Sequence, residues 1–341
     1  MDSYRFLPRL QDRHLVLPLL VVGLAVLAFW AWVPAVTPGE ACQMRNNAAW
    51  ISVDWTSQPV DEAAVAGLAR AASQRQLRNL FPFTSYMKED GTWSQSYAYA
   101  AEFVSAYKRH NPDTKLLAWI GVPIVNERPF GIHGWVNLAD QVERQRIVDF
   151  AITLVNEAGF DGVHLNVEHV DNGDPDFLLL LEEVREASGP DKMLSVAAND
   201  WLPASLNSLP EIGGYKCSDT YLRAVASHVD QIAMMTYDSL LPHAALYRLW
   251  LREQVGGIQR SLDGSEVEVL IGLSVSREET RTHSPQAENM GAGLAGACAG
   301  FARLPASGHN IEGVAIYAAW EADESDWRIW ETWQKNLRIE E

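Results

Sequence analysis

Eight short runs rich in β-branched and aromatic residues, separated by longer segments of helical periodicity, limit what this chain can fold into. The runs are WISVDW from 50, LRNLFPF from 77, KLLAWIGV from 115, DGVHLNVEHV from 161, MLSVAAN from 193, QIAMMTYD from 231, EVEVLIGLSV from 266 and GVAIYAAW from 313. Between them, segments such as DQVERQRIVDFAITLVNEAG and DFLLLLEEVREA repeat apolar residues every three or four positions and charge their other faces, which predicts amphipathic helices. Alternation of strand and helix without hairpins implies a parallel sheet. Eight repeats close it into one (β/α)8 TIM barrel of the α/β class, expected over residues 49–341. The segment ESDWRIWETWQKNLR supplies the last helix. An open doubly wound sheet would compete if Gly291-Ala-Gly-Leu-Ala-Gly296 were a phosphate-binding turn. The polar stretch SREETRTHSPQAEN separates these glycines from the preceding strand, so they are read as a surface for close helix packing.

Residues 15–33, LVLPLLVVGLAVLAFWAWV, carry no charge and are long enough to cross a bilayer. Arg5, Arg9 and Arg13 precede them. The positive-inside bias therefore predicts a cytoplasmic N-terminus at 1–14, a single-pass anchor at 15–36, a linker at 37–48 and a barrel outside the cytoplasm. Cleavage after the small residues Gly39-Glu40-Ala41 is the alternative and would release a secreted protein; the apolar stretch exceeds the usual signal core. Lipidation at Cys42 is a poor fit, because Gly39 and Glu40 depart from a lipoprotein box.

Removing the three bases and two acids of residues 1–36 from totals of 27 and 44 leaves 24 against 42, a net charge of −18 for the exported part. Such an excess repels phosphate backbones, so nucleic acid is not an expected partner and a neutral or cationic ligand is. Cys42, Cys217 and Cys298 show no CxxC spacing, which gives metal and redox readings no support. Cys298, in the small-residue run GAGLAGACAG, is read as a packed thiol on a helix face, with one disulfide among the three cysteines as the alternative.

On the fourth strand His164, Asn166 and Glu168 share one face, and Val163, Leu165 and Val167 share the other. Barrel interiors are normally filled by Val, Ile and Leu, so an inward polar face marks either a site or a buried hydrogen-bond network. Glu168 falls at the C-terminal end of the strand, where barrel enzymes place catalytic groups. His164 and His169 flank it in HLNVEH, but on a strand they point to opposite faces. No catalytic metal and no other cofactor is expected.

The segment Asp161-Gly-Val-His-Leu-Asn-Val-Glu168 resembles the DGxDxDxE signature of glycoside hydrolase family 18, the chitinase family, with His164 and Asn166 at its second and third Asp positions. Met235-Thr-Tyr-Asp238, Gly313-Val-Ala-Ile-Tyr-Ala-Ala-Trp320 and PFTSYMKEDGTW, which is similar to the family's peptidoglycan-associated members, extend the likeness across the exported domain. The resemblance implies retaining, substrate-assisted hydrolysis of an N-acetylglucosamine-containing glycan, in which the substrate's acetamido oxygen is the nucleophile. It implies Glu168 as general acid and base, Asn166 as an acceptor that orients the acetamide, Tyr237 as a donor to its oxygen and Asp238 as the acid beside it. Trp320 is expected as the floor under the reacting sugar, with His164 and Met235 as further substrate contacts. Trp55, Trp119 and Trp201, near strand ends, are expected to line the groove, with core packing as their alternative. The short connection from Arg277 to Asn310 leaves no room for an inserted domain, which implies an open groove, endo action and a monomer. Two other readings remain: a non-catalytic glycan-binding relative, and a hydrolase or transglycosylase of another extracellular polysaccharide.

Overall fold

A computed structural model describes residues 42, 44–126, 133–203, 206, 216–305 and 307–335. The apolar segment 15–33 and the arginines before it lie outside the described residues. The chain divides into units 1–37 and 38–341, and among the described residues no helix is long and apolar enough to cross a membrane.

Seven of the eight expected runs contain a whole strand or most of one, and the first, WISVDW, is strand only at Trp50 and Ile51, its Asp54 and Trp55 starting a helix. The strands are β1 (Asn47–Ile51), β2 (Leu77–Tyr86), β3 (Lys115–Pro123), β4 (Gly162–Glu168), β5 (Met193–Asn199), β6 (Gln231–Met235), β7 (Glu268–Ser274) and β8 (Ile311–Tyr317). Each pairs in parallel with the next, and β8 closes on β1. Strand β1 begins at Asn47, inside the segment expected as a linker, and Asn47 Oδ1 accepts the Val314 N–H of β8 at 3.1 Å. The helices are α1 (Asp54–Ser57), α2 (Glu62–Gln74), α3 (Ala100–His110), α4 (Gln141–Asn156), α5 (Pro175–Ser188), α6 (Asp219–Ala226), α7 (Ala244–Leu262), α8 (Met290–Phe301) and α9 (Glu324–Lys335).

Short polar side chains start the helices: Asp61, Asp140, Asp174, Ser218 and Asn289 each accept a first-turn backbone N–H of α2, α4, α5, α6 and α8. Each such cap is worth about 1 kcal/mol. At the opposite end of the barrel from the candidate site, acids set the strand register. Asp161 Oδ2, just before β4, accepts Leu116 N–H of β3 at 2.7 Å and Lys108 Nζ of α3 at 2.6 Å. Asp230, just before β6, does the same with Leu194 N–H of β5 and Arg185 of α5.

The glycines of α8 serve close packing. A Cβ at Gly296 would stand 2.8 Å from Leu251 Cβ on α7, and one at Gly300 would stand 2.5 Å from Val255 Cβ. The reading of Cys298 as a packed thiol is corrected: it is disulfide-bonded to Cys42, while Cys217 is buried outside that bond. Helical periodicity places Cys298 on a face but carries no information about a partner 256 residues away.

The barrel interior is filled by Ala48, Trp50, Phe81, Leu117, Trp119, Ala233, Leu270 and Ala315. A directional hydrogen-bond chain runs through it. Trp50 Nε1–H donates to His164 Nε2 at 3.0 Å, which leaves the proton on Nδ1 to donate to Ser195 Oγ at 2.8 Å. The Ser195 hydroxyl donates to Gln231 Oε1 at 2.8 Å, and Gln231 Nε2 donates to Glu268 Oε1 at 3.2 Å. Burial pushes His164 down to about 3, so the ring is neutral and fits a chain that needs one acceptor and one donor nitrogen. Its ring also stacks on Phe81 with centroids 4.0 Å apart.

Candidate functional site at the C-terminal mouth of the barrel

The polar face of β4 divides by depth. His164 is fully buried and committed to Trp50 and Ser195, so its expected place as a substrate contact is corrected; it belongs to the core network. Asn166 and Glu168 are partly exposed at the strand's C-terminal end. Asn166 Nδ2 donates to Glu168 Oε1 at 3.0 Å, while Asn166 Oδ1 is buried without a partner. An orphaned buried amide oxygen costs about 1–3 kcal/mol, so it is poised to accept an N–H from outside the chain.

Tyr237, just beyond β6, stacks on Tyr317 at the end of β8 with centroids 5.1 Å apart and planes 8° apart, and meets Trp50 edge-on at 6.5 Å. Burial, Tyr317 and the nearby charges of Asp238 and Glu168 push the Tyr237 hydroxyl well above the usual phenol range. Burial pushes Tyr317 up to about 12, with Glu168 and Asp238 acting in the same direction. Both phenols therefore keep their protons at neutral pH and are available to donate to a ligand.

Trp320, 45% exposed, lies 5.7 Å from Tyr317 and 6.3 Å from Trp119, forming an aromatic wall that Phe83 backs at 4.8 Å from Trp119. The buried Trp119 Nε1 has no partner. Met235 lines a pocket with Ala197 and Asn199. The other two tryptophans stand apart from this group. Trp55 packs on Phe103 of α3 at 5.8 Å. Trp201 is held between α6 and α7, its Nε1 on Asp219 Oδ1 at 2.6 Å and its ring against Gly257, so its expected place in the groove is corrected to core packing.

Asp238 takes a positive φ of 55° and is exposed on its carboxylate side. Behind it lie His283 and Glu288, two buried residues from the connection between β7 and α8; the three offer ligand atoms within 4.8 Å of one another. His283, Glu288 and Tyr317 were not singled out from the sequence. Tyr317 was legible, because alternation along β8 places Gly313, Ala315 and Tyr317 on one face. His283 and Glu288 lie in a loop with no periodic signal.

A closed eight-stranded barrel with a carboxylic acid ending β4, flanked by an amide, two tyrosines and an aromatic wall, is the arrangement of a barrel glycosidase. Residues 63–297 match the sequence profile of glycosyl hydrolases family 18, and the chain belongs to that family, whose chemistry is glycoside hydrolysis. No curated protein sequence matches the chain. Among solved structures it is similar to a class V chitinase from Pseudomonas fluorescens Pf-5, at 16% identity and a TM-score of 0.57, covering 86% of this chain and all of that one. A chitinase from Bacteroides thetaiotaomicron matches at 14% identity and 0.55, covering 87% and 97%. The spore cortex-lytic enzyme SleL of Bacillus cereus matches at 15% identity and 0.54, covering 84% and 74%. At such identities these likenesses establish the barrel alone.

Proposed function

We propose that the protein hydrolyses β-glycosidic bonds in an N-acetylglucosamine-containing glycan, with retention, through attack by the substrate's own acetamido oxygen. The observation that carries this reading is the Asn166–Glu168 pair, in which one amide holds the acid at 3.0 Å and leaves its buried oxygen open to an incoming N–H. In this mechanism Glu168 protonates the glycosidic oxygen as its bond to the anomeric carbon breaks and the acetamido oxygen closes on that carbon. Water then opens the ring and returns its proton to Glu168. Asn166 accepts the acetamido N–H and Tyr237 donates to the acetamido oxygen. Asp238 supports the turn beside it, and Trp320, backed by the buried Trp119, forms the stacking surface. The single short β7–β8 connection, which holds one helix among its described residues, favours an open groove and endo action by a monomer.

The disulfide between Cys42 and Cys298 suits an oxidising compartment. It supports a barrel outside the cytoplasm; the tether at residues 15–36, with the N-terminus inside, rests on the uncharged stretch 15–33 and the arginines before it. A second reading, glycan binding without cleavage, draws on the neutral Asn166 where the family signature has Asp. The test compares full-length wild type and Glu168→Gln for cleavage of N-acetylglucosamine oligomers, with glycan affinity and Tm measured alongside. The mutant keeps size and fold but has no proton to give, so its rate should fall by about 10² to 10⁴ with binding retained. Equal rates would remove Glu168 as the acid; binding by both proteins without cleavage would favour the second reading.

A further inference from the structure

Behind the catalytic mouth, Glu288 occupies a cradle of backbone donors. Its Oε1 accepts Ser239 N–H at 2.8 Å and the Ser239 hydroxyl at 2.6 Å; its Oε2 accepts Asp238 N–H at 2.7 Å and faces His283 Nδ1 at 3.0 Å. Successive N–H groups of a turn that passes through positive φ form an anion-binding concavity, and here a buried side chain of the same protein fills it. Four donors use all four lone pairs of the carboxylate, provided that His283 Nδ1 carries a proton. The other ring nitrogen, Nε2, faces Ser276 O at 3.2 Å and donates to it. With both nitrogens donating, His283 is an imidazolium, and Glu288 has no lone pair left for a metal ion.

Asp238 completes the arrangement, its Oδ1 3.4 Å from the same His283 Nδ1. Without the positive ring, two carboxylates would face each other across a few ångströms, and Asp238 would turn away. We propose that His283, clamped by Glu288, is a positioning residue that holds the Tyr237–Asp238 turn and aims both side chains at the substrate. This rests on the functional reading given above. Burial alone would lower the His283 ring, but Asp238, Glu288 and the Ser276 carbonyl outweigh it and push it up to about 10. Among the described residues, Asp200, which Lys216 holds at 2.6 Å, and Tyr247 of α7 also sense Glu288, and Tyr237, Tyr247 and Tyr317 sense Asp238.

The experiment has two arms on full-length protein. In the first, ¹⁵N-histidine NMR follows the His283 ring from about pH 6 to pH 10. It should stay doubly protonated through about pH 8.5 in wild type, and Glu288→Gln should lower its titration by at least about one unit, the size typical of losing an adjacent charge. A ring that titrates near the ordinary histidine value, or one that loses its proton to stoichiometric Zn²⁺, would overturn the proposal. In the second, His283→Asn, which keeps a donor without the charge, should lower kcat on N-acetylglucosamine oligomers about tenfold with KM changed less than about threefold, and His283→Lys should recover part of it. An Asn variant with native Tm and wild-type kcat would also overturn it. If the Asn variant does not fold, the titration of wild type and Glu288→Gln still decides. If wild type cleaves nothing, the functional reading fails, and the NMR arm still tests the clamp.

Discussion

Two residues apart on one strand, Asn166 and Glu168 share a hydrogen bond that fixes the direction of both: the amide N–H faces the acid and the amide oxygen is left for a ligand. Where the family signature has Asp, Asn166 orients an acetamide but adds no negative charge to offset a cyclic cationic intermediate. Asn166→Asp should therefore keep kcat or raise it, by up to about tenfold, since charge aimed at a developing cation is a large catalytic term. The new carboxylate would stand about 3 Å from Glu168 and hold a proton there, so the pair would titrate together and the alkaline limb of the pH–rate profile should move upward. A pH–rate series on both proteins checks this; complete loss of activity with an unchanged Tm would show that the uncharged amide is itself required. His164 teaches the opposite lesson about reading one strand. Period-2 alternation gives its face correctly but not its depth. Four residues at about 3.3 Å each place it some 13 Å below Glu168, in the middle of the barrel, where Trp50 and Ser195 consume both ring nitrogens.

At the scale of elements, most strands were legible as short apolar runs and helices such as α4 and α5 by their three- and four-residue spacing, and the barrel followed from their alternation. The loops were not. Trp201 and Trp119 were both candidates for the groove, yet Trp201, two residues beyond β5, packs against Gly257 of α7, while Trp119, in the middle of β3, faces the barrel interior and backs the aromatic wall. Strand alternation sets the face of Trp119, whereas Trp201 depends on the direction the chain takes after its strand, which no local pattern encodes. The α7–α8 contact is the reverse case, since the small-residue run of α8 announced close packing. Gly300→Ala tests it by setting two known effects against each other. Alanine should gain up to about 1 kcal/mol from helix propensity, but its Cβ would stand 2.5 Å from Val255 Cβ, an overlap that costs about 1–3 kcal/mol. The clash wins, so Tm should fall by a few degrees with kcat unaltered; a rise in Tm would mean that the two helices separate freely.

For the molecule as a whole, two long-range ties determine how the barrel responds to its surroundings. The Cys42–Cys298 disulfide closes nearly the entire barrel into one loop, and the chain-entropy relation assigns such a closure about 5 kcal/mol. Cys298→Ser, or reduction of the wild type, should lower Tm by roughly 10 °C or more; no change would mean that the unfolded chain is not constrained by this bond. The second tie is the hydrogen-bond chain that ends at Glu268. Burial raises Glu268 to about 7, with help from the charge of Glu312 and against the hydrogen bonds of Gln231 and Asn46. An acid whose folded pKa is raised binds its proton more tightly in the folded state. Its contribution to stability is therefore complete below the ordinary carboxylate range near 4.5 and is lost as pH rises through about 7. His164, pushed down to about 3, acts on the other side, costing stability as pH falls below the ordinary histidine range. A difference between wild type and a Glu268 variant separates the two, because His164 is common to both. Glu268→Gln keeps an acceptor for Gln231 Nε2 and cannot ionise. It should match the wild type within error near pH 4 and exceed it near pH 8 by on the order of 2 kcal/mol, or about 5 °C in Tm. Denaturation curves at the two pH values decide it. A variant that is equally displaced at both would mean that the Glu268 carboxyl does not titrate between them.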